Sequence, residues 1–474
     1  MLQLVELVMI SHDISNSPPD KALSGLSLFS SARRTDFMLR TQKVEADLRG
    51  WEVHEETRGE HRVFTACLRE WPFVRRMETA VGAQDDSRDL RAWLASEAAL
   101  ADVQHSLGQS DAMLSEASEA AVTEWEAPGP IRVSLTKKAN SQATLTLAAA
   151  PEVREALFAF AHEIARALPF VILPDAVDPA AREPVKAARL KLARHATTTD
   201  AFAEIGKSVA EQWFGNDAAS RGAFEAEHVH QLRVAQRRLK TALKLFPEWI
   251  DETWNAQVAP DLKWFGDLLA DARDWDVFAD TTLAAYAAAD DAHHKDAWSR
   301  LQRAADAKRM AARRRLQDAM NSPRYAALAL SFVQWFSELE APPEHADRTL
   351  ADHVRKRITK HYRKIERAPD LTTIDARTRH KVRIHAKRLR YALEFFRSMV
   401  TRPTRKGVGK ALGDLQSVLG EGNDAAVAAQ RLAALEEAGD YQKGLAKGFA
   451  IAAQQMRALE GERILRKIKR PRIK

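Results

Sequence analysis

The chain has one cysteine, Cys67, in 474 residues. A lone thiol closes no internal disulfide and builds no thiolate metal cluster, so disulfide scaffolds and zinc fingers are excluded and a reducing compartment is expected. No run of about 18 apolar residues occurs, which leaves no helix able to cross a bilayer. Residues 1–10 are apolar but contain Glu6, lack a basic leader and precede no small-residue cleavage site. A secretory signal is therefore not expected, and the chain is placed in the cytoplasm with no membrane partner. Catalytic signatures are also missing: there is no Gly-x-x-x-x-Gly-Lys-[Ser/Thr] loop, no Gly-x-Ser-x-Gly and no His-Glu-x-x-His. No catalytic residue, metal or cofactor is expected.

What is present describes a globular protein of several domains. Hydrophobic residues make up 45% and charged residues 29%, which rules out a disordered or collagen-like chain. The net charge of +7 is unevenly spread. Residues 1–200 hold 23 Lys+Arg and 29 Asp+Glu, a net of 23 − 29 = −6, whereas residues 201–474 hold 49 and 36, a net of +13. The densest stretch, 351–400, has 15 basic residues against 5 acidic ones. Two modules are implied, the second of which meets a polyanion.

The first half reads as mixed α and β. Strands are expected at 2–10, 51–54, 62–68, 131–135 and 143–147, where β-branched residues alternate with polar ones, and turn formers crowd 11–20. Leu157, Phe160, Ala161, Ile164 and Leu168 mark a helix between Pro151 and Pro169. The stretch 84–127, rich in Ala, Ser, Asp and Glu, reads as an insertion or a loosely held acidic helix. From about Lys191 strand signals vanish and helical periodicity takes over.

Two segments of the helical half read alike at an offset of 150 residues. One begins His230-Gln-Leu-Arg-Val-Ala-Gln-Arg-Arg-Leu-Lys and the other His380-Lys-Val-Arg-Ile-His-Ala-Lys-Arg-Leu-Arg. The register continues to Arg273-Asp274 and Asn423-Asp424, so a multi-helix unit occurs twice. On a helical wheel the first copy stacks His230, Arg233, Arg237, Lys240 and Lys244, and the second His380, Arg383, Lys387 and Arg390. Greasy stripes lie opposite, through Leu232, Leu239 and Leu243 and through Val382, Leu389 and Leu393. Like charges one turn apart cost roughly 0.2–0.5 kcal/mol per pair, so stability alone would interleave Glu. An anionic ligand would offset the repulsion. A third stripe runs through His353, Arg357, Lys360, Lys364 and Arg367, and a fourth, less confined to one face, through Arg309 and Arg313. The two principal stripes contain no aromatic side chain on which a base could stack, which disfavours nucleic acid.

These motifs, with Leu269-x-x-x-Arg-Asp-x-Asp-Val277 and Leu419-Gly-Glu-Gly-Asn-Asp424, resemble the CHAD domain, the conserved histidine α-helical domain. The resemblance implies an all-α domain of two four-helix bundles related by an approximate two-fold axis. Its basic faces would line a pore or groove for inorganic polyphosphate, with an association with polyphosphate or storage-polymer granules. The binding residues would be His230, Arg233, Arg237, Lys240, Lys244, Arg309, Arg313, Arg357, Lys360, Lys364, His380, Arg383, Lys387 and Arg390. Asp274, Asp276 and Asp424 would be structural partners.

The first half resembles a degenerate CYTH domain, the triphosphate tunnel fold. Ala143-Thr-Leu-Thr-Leu, the 155–170 helix and Glu183-Pro-Val-Lys-Ala-Ala-Arg-Leu190 are similar to the end of that domain, with Lys186 and Arg189 in its two basic places. The opening Glu-x-Glu-x-Lys is missing, because residue 8 is Val, and alternating Arg and Glu on later strands look sparse. The expected architecture is a degenerate β-barrel or tunnel with helices at 1–192 and the helical domain at 193–474, its halves near 193–340 and 345–474. Competing readings are residual metal-dependent triphosphatase activity, general polyanion or nucleic-acid binding, and a granule scaffold held by the basic tail, 463–474.

Overall fold

The computed structural model describes residues 2–11, 19–45, 48, 50–81, 93, 94, 96, 100, 103, 113–126, 131–138, 143–168, 170–172, 183–193, 196–221, 225–290, 294–340, 342 and 349–474. The turn-rich run at 12–18 and most of 84–112 lie outside them. The described residues form two units, Met1–Glu183 with Ala319–Ser337, and Pro184–Asp318 with Glu338–Lys474.

In the first unit the strands are β1 (Leu2–Ser11), β2 (Arg33–Glu45), β3 (Trp51–Arg58), β4 (His61–Glu70) and β5 (Phe73–Val81). They continue with β6 (Met113–Leu114), β7 (Ser118–Glu126), β8 (Arg132–Lys137), β9 (Thr144–Ala149) and β10 (Phe170–Ile172). The order β1-β5-β4-β3-β2-β7-β8-β9 returns to β1 and closes an eight-stranded antiparallel barrel, with β6 added to β2 and β10 to β1. Closure leaves no bare edge within the ring. The β3–β4 hairpin turns at Gly59, whose φ of +61° is a conformation that side chains with a Cβ rarely adopt. Residues 113–114 and 118–126 are strand, not the acidic helix their composition suggests. Burying Ala120, Val122 and Trp125 against the barrel outweighs local helix propensity there.

Strand alternation separates two chemistries. One face of β3, β4 and β5 contributes Val53, Phe64, Ala66, Met77 and Val81 to an apolar cluster with Trp93, Leu94, Leu100 and Val103. The opposite face holds Glu56, Arg58, Thr65, Arg76 and Glu78. Helix α1 (Pro19–Ser24) is short, and α2 (Arg154–Ala167) follows a single 3₁₀ turn at Pro151–Val153. A later helix, α9 (Pro323–Ser337), belongs to this unit and packs on α2 and β10. Its Gln334 meets His162 at 2.8 Å.

The second unit is helical: α3 (Thr198–Phe214), α4 (Asp217–Arg221), α5 (Ala226–Leu245), α6 (Ala259–Val277), α7 (Leu283–Ala289) and α8 (Lys295–Met320). After α9 come α10 (Leu350–Glu366), α11 (Ala376–Phe395), α12 (Gly409–Ala433) and α13 (Asp440–Leu465). The sequence repeat is a structural one. Helices α5 and α11 start at Ala226 and Ala376, π turns at Trp254 and Thr404, and α6 and α12 at Ala259 and Gly409, each pair 150 residues apart. With α3 and α8 in one half and α10 and α13 in the other, each copy has four long helices. Caps fix where the helices start: Thr197 and Asp200 form a capping box on α3, and Asp375 accepts from the Thr378 amide at 2.6 Å on α11. Aromatic pairs fill the core, with Phe202 on Phe246 at 4.5 Å and Trp213 on Phe265 at 5.7 Å between centroids.

The basic tail is docked. The Arg472 amide donates to Thr404 Oγ1 at 2.8 Å, the Lys474 amide donates to the Met399 carbonyl at 2.8 Å, and Val400 bridges to Ile473. No helix among the described residues is long and apolar enough to cross a membrane.

Candidate anion-binding site

Helices α5 and α11 bury their apolar stripes and turn their cationic stripes toward one cavity of about 870 Å³. His230, Arg233, Arg237, Lys240 and Lys244 line it from α5, and His380, Arg383 and Lys387 from α11. Arg273 and Arg388 add two cations that the sequence reading left out of the site. Arg273 stands beside a noted Asp, and its repeat counterpart is Asn423, which meets His380 Nδ1 at 3.0 Å. Arg388 had no such signal, because its counterpart Arg238 is buried and donates to Ser208 and Gln212. Among the described residues only Asp274 and Asp424 bring negative charge to the wall. Arg233 Nη1 donates to Asp274 at 2.7 Å.

The two stripes act on each other. Burial, followed by Arg383, Arg237 and Arg233, pushes the Lys387 ammonium down to about 7, against the pull of Asp424. Burial also lowers Arg383, which Asp424 raises and Arg237 and Arg233 lower further. His230 is shifted down by burial, opposed by Glu227 and assisted by Arg237, Arg273 and Arg233. Lys240 is likewise lowered chiefly by burial. Arg237 Nε and Arg383 Nε are buried donors without a hydrogen-bond partner among the described residues. Such donors and uncompensated charge cost stability until an anion satisfies them. Gly266 of α6 lets the helices close on this wall: a Cβ there would sit 2.6 Å from Gln236 Oε1 and 3.2 Å from Lys240 Nζ. Trp254, Phe278 and Tyr391 also line the cavity, but at 3%, 1% and 3% exposure they offer no ring face to a base.

The other expected residues lie elsewhere. Arg313 is held by Asp276 at 2.8 Å, Arg309 pairs with Asp280 and with Asp306, and Arg357, 3% exposed, pairs with Glu248. Arg390 donates to Gln416 at 3.0 Å and lies over Tyr391. Lys360 and Lys364 line a different cleft. Asp274 and Asp276 do pair with Arg, as read from the sequence.

Inside the barrel, Arg and Glu are more plentiful than the sequence suggested. Arg76 bonds both oxygens of Glu56 at 2.8 Å and Glu78 at 3.1 Å, and lies 3.6 Å from Glu6. Arg58 reaches Glu56 at 2.9 Å and Glu78 at 3.1 Å, while Arg132 reaches Glu78 at 3.0 Å. These residues are spread over four strands and meet only when the ring closes. Burial pushes the Glu78 carboxyl up, yet Arg76, Arg58 and Arg132 hold it at about 2. Burial raises the Glu6 carboxyl, and the opposing pull of Arg76 does not outweigh it while Glu56 and Glu78 add to the rise. A divalent cation, which triphosphate chemistry in such a tunnel would require, does not fit this donor set, because arginines already occupy the Glu56 and Glu78 oxygens. Lys186 and Arg189 are exposed, in a segment of the second unit where Asn216 bonds the Val185 backbone on both sides.

Residues 204–433 match the CHAD domain family. Among solved structures, the crystal structure of the CHAD domain from the plant Ricinus communis is similar at a TM-score of 0.55 and 29% identity, over 62% of this chain and 100% of that one. PptA from Streptomyces chartreusis aligns at a TM-score of 0.45 and 21% identity, over 58% of this chain and 99% of that one. No curated protein matches the chain. The closed eight-stranded antiparallel barrel is consistent with a CYTH-like tunnel. The helical part of the chain is thus similar to the CHAD domain family over residues 204–433.

Proposed function

We propose that the helical unit binds inorganic polyphosphate in the cavity between α5 and α11 and performs no chemistry on it. The observation that carries this reading is the convergence of the two stripes: Arg233, Arg237 and Lys240 of α5 and Arg383 and Lys387 of α11 line one cavity. A polyphosphate chain has about one charge per unit and no bases, so its receptor needs dense cations and no sequence code. Arg supplies planar forks and Lys mobile point charges, a mixture suited to a flexible chain. The neutralised barrel interior supports a non-catalytic reading of the first unit. The docked tail gives no support to a free adhesive arm, so granule attachment stays outside the proposal.

Arg237→Glu with Lys387→Glu should weaken binding of long-chain polyphosphate at least a hundredfold while helicity is retained, and the wild-type affinity should fall steeply with added salt. Duplex DNA at matched phosphate concentration should compete poorly. Equal displacement by DNA would replace the reading with a general polyanion sink. Release of phosphate from tripolyphosphate with Mg²⁺ or Mn²⁺ would overturn the non-catalytic part.

A further inference from the structure

Lys360 and Lys364, which the wheel places in one basic stripe, lead away from the cavity just described. They line a cleft of about 910 Å³ between α10 and α11, together with Lys356, Arg363, Arg367 and Lys381. None of these six cations forms an ion pair among the described residues. The one carboxylate on the wall, Asp352, already accepts from Arg355 at 2.8 Å and from Thr349 Oγ1 at 2.8 Å. No lining residue is shared with the α5–α11 cavity. On a helix advancing about 100° per residue, Lys381 and His385 lie roughly 130–170° around α11 from the mean direction of His380, Arg383 and Lys387. One helix therefore forms a wall of two cationic concavities, back to back.

We infer that the α10–α11 cleft is a second anion site, separate from the first, that takes a short and densely charged phosphate compound. Six uncompensated cations around one concavity repel one another, and solvent screening relieves this only in part. A buried neighbour responds to their field. His361, 3% exposed and with neither ring nitrogen partnered among the described residues, is held down to about 4 by burial and then by Lys364, Arg388, His385 and Lys360. Among the described residues the wall offers no Phe, Tyr or Trp ring for a base, and beyond the cations and Asp352 it has Thr359, Thr378, Ala368, Pro369, Val382 and His385. Four of the six cations are lysines, whose mobile ammonium groups follow phosphates arranged on a line or on a ring. A cleft of this volume encloses a compound of a few phosphates.

Calorimetry with tripolyphosphate on the full chain tests this. Wild type should bind two equivalents. Lys360→Glu with Lys381→Glu, both exposed positions, should weaken one of them at least tenfold and spare the other. The charge-neutral pair Lys360→Met with Lys381→Met should do the same to a smaller degree, with circular dichroism confirming unchanged helicity. Lys387→Glu should remove the other equivalent. If the cleft variants keep both equivalents at wild-type affinity, the second site is overturned. If only Lys387→Glu is silent, the polyphosphate cavity falls and the cleft stands. Displacement of tripolyphosphate from the cleft by inositol hexakisphosphate would support a ring-borne source, and failure to displace would support a linear one. Displacement only by a short DNA strand would overturn the phosphate assignment.

Discussion

Lys387 is where the fold changes the chemistry of the repeat most. In the unfolded chain its ammonium titrates near 10.5, and in the folded protein near 7. Between those values the unfolded chain holds a proton that the folded chain lacks, so stability falls as pH drops through the window, and the whole penalty is present below 7. Lys387→Met should therefore raise the melting temperature of the ligand-free protein at pH 7 by about 2–4 °C or more. If polyphosphate occupies the cavity as proposed, its charge restores the proton and reverses the penalty. Affinity should fall by up to about tenfold per pH unit above 7, with proton uptake at pH 8 that the variant lacks. Calorimetry in buffers of different ionisation heat measures this, and an affinity flat from pH 6.5 to 8.5 would remove Lys387 from the site. Histidine is the residue type in the cavity that ordinarily responds near neutral pH. Burial moves His230 to more acid pH, and a lysine takes its place. Residue type and spacing were legible on the wheel; depth of burial was not, since it depends on α6 and α12 closing the cavity.

Helix α10 shows how far an element can be read in advance. Its basic stripe was visible in the periodicity, while its ends, its Thr349 cap and the burial of Val354, Ile358 and Ile365 emerge only in the structure. The wheel could not show that His353 and Arg357 fall on the core side of the boundary while Lys360 and Lys364 fall outside it. Their partners are remote: Glu248 lies 109 residues from Arg357, and the Leu245 carbonyl lies 108 from His353, which it meets at 3.0 Å. The same limit hid β2 and β7, whose charged faces read as strand only once each has the other to pair with. The Arg357–Glu248 pair thus serves packing, which yields a test. Glu248→Gln strands a buried guanidinium and should cost about 3–5 kcal/mol in chemical denaturation, with polyphosphate affinity changed less than twofold. Glu248→Leu with Arg357→Met should recover most of that stability. A loss of affinity matching the loss of pairing would return Arg357 to the binding site.

Across the whole molecule, the two units use the same charged residue types in opposite ways. The helical cavity sets its many cations against Asp274 and Asp424 alone among the described residues of its wall, whereas the barrel surrounds Arg58, Arg76 and Arg132 with Glu6, Glu56 and Glu78 until little field is left over. Arg76 is the centre of that arrangement, because it alone touches all three acids. Arg76→Met would leave three carboxylates crowded in a poorly solvated interior and should destabilise the barrel by about 3–5 kcal/mol at pH 7. The carboxyls of Glu56 and Glu78 are held below their usual 4.5, Glu78 at about 2. Their stabilisation is complete above 4.5 and is lost as pH falls toward 2, so wild type and variant should converge on acidification. Melting followed at pH 7, 5 and 3.5 measures the convergence. Polyphosphate affinity, which the proposed function assigns to the other unit, should stay within twofold at pH 7. Were Arg76→Met to leave melting unchanged and instead abolish binding of a short phosphate, the barrel's arginines would be free to meet ligand and its interior would have to be read as a second receptor.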